Sequence, residues 1–259
     1  MNTAVNPLSL AAGTVLDLRP DAVVHCAADA GYPLTGVRLA DPLAQAGPVA
    51  AALRSTGLGL LDVEVVRLSP GPLTGAQLRL ADTAAELGAR YLLVVSRDPD
   101  EAATAAKLAA LVERLAGGPT RVALEFMIFT QVRTLADAVR IATAVPGLTV
   151  LMDPLHLHRA GDPLDASGAV DPRLIGYAQL CDIAEPTAPA EPAHEARRGR
   201  EPPGHGILAL ARFVAGLPPG CPLSVEVQSD RLNAELDPTA RAALVGRAAR
   251  DVLMTHTTR

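Results

Sequence analysis

Apolar residues fall along this chain in short, nearly continuous runs, separated by longer stretches in which they recur at helical spacing. Runs of the first kind predict buried strands, and stretches of the second predict amphipathic helices. Strands are expected near Ser9 to Val15, Leu34 to Leu39, Gly59 to Leu68, Tyr91 to Ser96, Val122 to Met127, Leu148 to Asp153, Ile175 to Asp182 and Leu223 to Gln228. Ala-rich helical stretches lie between them, at Pro20 to Ala30, Leu43 to Ser55, Gly75 to Leu87, Glu101 to Ala116, Thr134 to Ala144, Gly206 to Leu217 and Pro238 to Leu253. A poor one lies around Ser167 to Leu174. Alternation of β and α with apolar strands predicts a parallel sheet covered by helices, and eight such units close a barrel. The expected fold is α/β, a (β/α)8 TIM barrel forming a single domain over residues 1–259. The alternative, an open doubly wound sheet, lacks its usual Gly-x-Gly-x-x-Gly turn after any strand.

The last four expected strands carry polar residues at or near their ends, where packing alone would place Val or Ile. These are Glu125, Asp153, Gln179 and Glu226. On consecutive staves of a parallel barrel they share one rim, the end at which barrel enzymes keep their chemistry. Four oxygen donors converging there suit a hard divalent ion, Mn²⁺ or Mg²⁺, rather than structural zinc. Packing-only readings stand beside this one. Glu125 and Glu226 could each pair with an arginine, Asp153 before Pro154 could open a turn, and Gln179 could bond to backbone.

Length and composition agree with one large core, at 259 residues, 49% of them hydrophobic. The net charge of −5, without a basic stripe, argues against nucleic acid as a partner. Neither a signal-like N-terminus nor an apolar run of membrane-spanning length is present, so no membrane is expected and the chain reads as cytoplasmic. Cys26, Cys181 and Cys221 are too few and too dispersed for a disulfide framework or a thiolate metal site. Three Phe, three Tyr and no Trp weaken a generic free-sugar site, which commonly stacks aromatic faces on its substrate. Ala- and Leu-rich outer helices leave a homo-oligomer open.

Residues 184–203, rich in Pro and charge, follow the seventh strand and leave the rim where the acids converge. A loop of this length is either a solvated excursion or functional. As a lid it would carry Arg197, Arg198 and Arg200 over a bound anion or polyhydroxyl compound. Arg38, Arg67 and Arg97 stand at or just beyond the second, third and fourth strands, where one or two could receive a carboxylate or phosphate. Glu64 is placed to hydrogen-bond substrate hydroxyls or to pair with Arg38, and Asp182 to touch substrate or to hold Arg200 or the lid.

An ordered set of short pieces resembles the xylose isomerase-like TIM barrel superfamily, and within it the sugar phosphate isomerase/epimerase branch that includes inosose dehydratases and tagatose and psicose epimerases. The pieces are Leu124-Glu125-Phe126-Met127, Asp153-x-x-His156, Gln179-Leu180-x-Asp182, Arg200-x-x-Pro203-Gly204-x-Gly206 and Val225-Glu226-Val227. The resemblance implies that Glu125, Asp153, Gln179 and Glu226 ligate a divalent metal, and that His156 and Arg200 bind substrate oxygens. Two departures from the family pattern stand out. Gln179 replaces the usual His, and His205 takes a position in the Pro-Gly-x-Gly turn that often carries Glu.

The chemistry expected of such a set is proton removal α to a carbonyl. A metal polarises the carbonyl and a carboxylate on each side moves the proton, so Glu125 and Glu226 act as base and acid in turn. The expected activity is isomerisation or epimerisation of a keto-sugar or sugar phosphate through an enediolate. If a β-hydroxyl leaves instead, with His156 as proton donor, the same site dehydrates a keto-cyclitol or a dehydroshikimate-like compound. A catalytically impaired barrel that only binds a metabolite is the third reading.

Overall fold

In the computed structural model, residues 6–186 and 189–257 are described. Eight parallel strands close a barrel: β1 (Leu8–Leu10), β2 (Leu34–Arg38), β3 (Gly59–Leu68), β4 (Tyr91–Ser96), β5 (Arg121–Glu125), β6 (Thr149–Met152), β7 (Ile175–Leu180) and β10 (Leu223–Val225). The circular order is β1-β10-β7-β6-β5-β4-β3-β2, so each stave pairs with its neighbour in the barrel series and the ring closes between β1 and β10. Helices α1 (Pro20–Asp29), α2 (Pro42–Thr56), α3 (Gly75–Glu86), α4 (Glu101–Arg114) and α5 (Leu135–Ala144) follow the first five staves, and α10 (Pro238–Thr257) ends the chain. Among the described residues no helix is long and apolar enough to cross a membrane.

Two apolar cores follow from the two-residue period of the strands. The larger lies between barrel and helices and takes Leu92, Val94, Val122, Leu124, Val150, Met152, Ala178 and Leu180. The smaller fills the barrel itself with Leu34, Leu61, Tyr91, Leu93, Ala123, Leu151 and Tyr177. Local caps agree with these boundaries. Thr74 and Gln77 form a reciprocal capping box at α3, Thr134 and Asp137 another at α5, and Asp100 accepts from the Ala103 N–H at α4.

Three segments differ from the sequence expectation. The first strand ends at Leu10, and Ala12–Val15 winds into a 3₁₀ turn instead. The chain must pass under Glu226 there: a Cβ on Gly13 would lie 2.3 Å from the Glu226 Oε1. After β6 the helix is α6 (Pro154–Ala160), earlier than the weak stretch at Ser167 to Leu174, which forms only 3₁₀ turns at Ala166–Ala169 and Pro172–Leu174. Asp153 before a proline at the first helical position is itself the start signal of α6.

The third difference is the 184–203 segment, of which residues 187–188 lie outside those described. It is not structureless. Strands β8 (Asp182–Ile183) and β9 (Arg200–Glu201) pair antiparallel at its base, and helix α7 (Pro192–Arg198) forms its body. Two short helices complete the chain, α8 (Leu210–Gly216) before β10 and α9 (Asp230–Glu235) after it.

Candidate active site

Strand parity sets the site. Ala123, Leu151 and Tyr177 point into the barrel, and two residues further on Glu125, Asp153 and Gln179 do the same at its C-terminal end. Buried Ser224 is followed by Glu226 in the same way. All four polar side chains are buried. They surround one end of a cavity of about 380 Å³ whose walls include Glu125, Gln179, Glu226 and His156, with Asp153 just behind.

The cap that starts α6 also delivers His156. Asp153 Oδ1 accepts the N–H groups of Leu155 at 2.7 Å and His156 at 3.3 Å, which fixes the helix one turn above the carboxylate. The His156 Nε2 then lies 3.6 Å from Glu125 Oε1 and 3.7 Å from Asp153 Oδ2. Donor atoms of Glu125, Asp153 and His156 all fall within 4.8 Å of one another, a grouping able to hold a metal ion. The ring of Phe129 stands edge-on to that of His156, with centroids 5.7 Å apart.

Arg200 is the cation at the centre of the acids, and it is almost fully buried. Its Nη1 donates to Asp153 Oδ2 at 2.8 Å, its Nη2 lies 3.2 Å from Glu226 Oε2, and its Nε donates to the Ala196 carbonyl at 2.7 Å. It therefore ties α7 to two of the expected ligands, and most of its donors are spent on the protein. Glu226 also accepts from Gln228 Nε2 at 3.0 Å.

Burial decides the protonation of these groups. It pushes Glu226 up from 4.5 to about 7; Arg200 and Arg38 oppose the rise, while Glu64 and Asp153 add to it. Burial first, then the Glu226 and Asp153 charges, hold the Glu125 carboxyl well above the usual range. Asp153 is buried too, yet the Arg200 guanidinium, His156 and hydrogen bonds from Arg200 and the Leu155 N–H outweigh that and keep it below its ordinary value. Burial drives His156 down to about 4, against the pull of Asp153. The imidazole is neutral near pH 7, so His156, expected as a proton donor, carries there one N–H and no positive charge.

The other expected residues divide. Arg38 donates from Nε and Nη2 to one oxygen of Glu64, at 2.9 and 2.5 Å, and the pair lines the cavity wall opposite Gln179. Asp182 instead accepts the N–H groups of Ile183, Gly204 and Leu208, so it folds the 204–208 turn and is not part of the cavity wall. His205 is exposed on that turn. Gln179 forms no side-chain hydrogen bond among the described residues, and its buried Oε1 has no partner. The backbone-bonded reading of this glutamine is therefore not what the chain adopts.

Two residues escaped the sequence reading. Asp62 lies deep in the barrel, where the Tyr177 hydroxyl donates to its Oδ2 at 3.0 Å; burial and Glu64 raise it well above the usual carboxylate range. Its spacing of two from Glu64 on one strand is a signal that both face inward. Phe129 sits in an irregular stretch after β5, and no periodicity points to it.

A sequence model of the Xylose isomerase-like TIM barrel matches residues 76–249. The chain belongs to this family. No curated protein matches it in sequence. Among solved structures, the IolI protein with a bound zinc atom superimposes with a TM-score of 0.82 at 16% identity, covering 96% of this chain and 99% of that one. D-allulose 3-epimerase from Methylomonas sp., in complex with D-allulose, gives 0.72 at 16% identity, over 96% and 97%. The "probable 3-DHS dehydratase AsbF" of Bacillus anthracis gives 0.72 at 16% identity, over 93% and 98%. At these identities the likeness is one of fold. The xylose isomerase-like family thus supplies the barrel, and proteins shaped like this one include a D-allulose 3-epimerase and a probable 3-DHS dehydratase.

Proposed function

We propose that the protein is a divalent-cation-dependent isomerase or epimerase of a polyhydroxy carbonyl compound, acting by proton removal α to the carbonyl. The observation that carries this reading is the pair Glu125 and Glu226. Both are buried, both reach one cavity, and their strands stand three places apart around the barrel, so they approach a compound lying between them from different sides.

Glu125, Asp153, Gln179 and Glu226 would hold the ion, Mn²⁺ or Mg²⁺, with His156 close enough to Glu125 and Asp153 to take a place among them. The fit is supported by the partnerless Gln179 Oε1, because a buried amide oxygen without a hydrogen bond is costly unless something else binds it. Such an ion would supply the positive charge that polarises the carbonyl and acidifies the neighbouring C–H. The chain's own residues move the proton. Glu226 takes it from carbon and Glu125 delivers one from the other side, and burial, which raises the proton affinity of both carboxyls, suits them to that exchange. Neutral His156 offers a hydrogen bond to a substrate oxygen, and Arg200 holds Asp153 and Glu226 in place.

The raised proton affinity of Glu125 also favours a second reading. A carboxyl that burial makes hold its proton more tightly than usual can protonate a departing β-hydroxyl, which converts the same enolate chemistry into dehydration of a keto-cyclitol or related ring ketone. Incubation with keto-sugars and keto-cyclitols in D₂O with Mn²⁺ tests both. Deuterium at a substrate carbon supports isomerisation, and a new conjugated ultraviolet absorbance supports dehydration. Ligand binding with neither signal would reject both and leave a binding barrel.

A further inference from the structure

Six arginines line the cavity against four carboxylates, Glu64, Glu125, Glu226 and Asp230. The arginines are not alike. Arg38 is taken by Glu64, Arg200 by Asp153 and Glu226, and Arg198 by Asp230, both of whose oxygens lie 3.2 Å away. Arg67, Arg97 and Arg197 have no hydrogen-bond or ion-pair partner for their guanidinium groups among the described residues. Each comes from a different element: Arg67 from β3, Arg97 from just beyond β4, and Arg197 from α7.

Their placement is specific. In the β3–β4 register Leu68 is opposite Ser96, so Arg67 and Arg97 rise from neighbouring staves at the top of the barrel. β3 stands diametrically across from β7 and its Gln179. Arg197 reaches the cavity from above, its guanidinium 5.6 Å from the centre of the Phe129 ring, which in turn packs against His156. The crowding registers in Arg67, whose proton is made easier to lose by partial burial and then by the charges of Arg38, Arg97 and Arg197. Three like charges on one concave wall repel one another, and a protein that leaves them there with no ion-pair partner of their own gains by admitting an anion between them.

We propose that Arg67, Arg97 and Arg197 form a subsite for an anionic group of the substrate, a carboxylate or a phosphate, across the cavity from Glu125, Gln179 and Glu226. The inference deepens the proton-transfer reading, since it assumes that this cavity receives the substrate. It narrows the substrate class to hydroxy keto acids and phosphorylated keto-sugars. The reacting carbons lie between the two acids while the anionic end is held by the guanidinium groups. A cavity of about 380 Å³ suits a compound of that size.

Titration of the intact protein with inorganic phosphate and, separately, with propionate tests the subsite without any turnover. Wild-type protein should bind at least one of them, and Arg67→Gln, Arg97→Gln and Arg197→Gln should each weaken that binding about tenfold, as loss of a charged hydrogen bond implies. Arg54→Gln, a change at an exposed arginine on α2, should leave it unaltered. Tighter binding of propionate assigns the anionic end as carboxylate, and tighter binding of phosphate assigns it as phosphate. Absence of binding by both, or binding equal in wild type and all three variants, would overturn the proposal. Because the probes undergo no reaction, loss of deuterium exchange with intact anion binding would sink the proton-transfer reading alone.

Discussion

One side of the cavity is built from the ends of β5, β6, β7 and β10, the other from β2, β3 and β4. The first carries three carboxylates and an amide, all buried, with one fully buried guanidinium shared between two of them. The second carries Arg38 and Glu64 paired at the wall and, beyond them, Arg67 and Arg97 exposed to solvent. Burial separates the two in energy. Charges taken out of water are expensive and shift their proton affinities, whereas exposed guanidinium groups stay hydrated and cost little. The acid side is therefore poised for proton transfer at the expense of stability, and the basic side can change its ligand without disturbing the fold.

Substitutions on the acid side should break this comparison most strongly. Glu226→Gln should lower turnover by about 10²- to 10⁴-fold, the usual worth of a positioned acid or base. The same change should stabilise the metal-free protein above pH 7. The folded pKa of about 7 exceeds the ordinary 4.5, so the unfolded chain loses this proton first and stability falls as pH rises from 4.5 to about 7. The variant lacks that fall. Urea melts of chelator-treated protein at several pH values measure it, and parallel slopes for wild type and variant would contradict the assignment.

Arg200→Met should rank next. It leaves Asp153 and Glu226 facing each other with no buried cation, and breaking a buried pair in this way costs about 3–5 kcal/mol. Urea unfolding at pH 8 reads the loss directly. A change of less than about 1 kcal/mol, which is surface-pair behaviour, would mean that Arg200 does not balance the acids.

Gly13→Ala is the mildest and tests position instead of charge. The new methyl would sit 2.3 Å from the Glu226 Oε1 and 2.8 Å from its Cγ, so the side chain must move. A displacement of about 1 Å can cost two orders of magnitude in rate, so a fall of about tenfold in kcat/KM is expected. Stability should change by no more than about 1–3 kcal/mol. Unchanged kcat/KM would show that Glu226 works equally well from a shifted place.

Much of this was legible in the chain because it rests on period and parity. The eight strands stand out as apolar runs, and an acid or amide two residues beyond an inward-facing Ala123, Leu151, Tyr177 or Ser224 must face inward as well. The place of Arg200 was not legible. An arginine in a Pro-rich charged segment reads as lid surface, and only the β8–β9 pairing turns it beneath the lid to meet Asp153. The partners of Asp182 were not legible either, since it accepts from the neighbouring Ile183 N–H and from two N–H groups, of Gly204 and Leu208, in a distant turn. Helix α6 was written in Asp153-Pro154, a cap and first-turn proline; one carboxylate serves both as cap and as a member of the acid cluster.

Calorimetric titration of Mn²⁺ into chelator-stripped wild-type protein, alongside Glu125→Gln and Asp153→Asn, tests the central claim most directly. The account predicts one site in the wild type, weakened at least about tenfold in each variant, as loss of a ligand or its immediate support implies. No site in the wild type, or equal affinity in all three proteins, would contradict it.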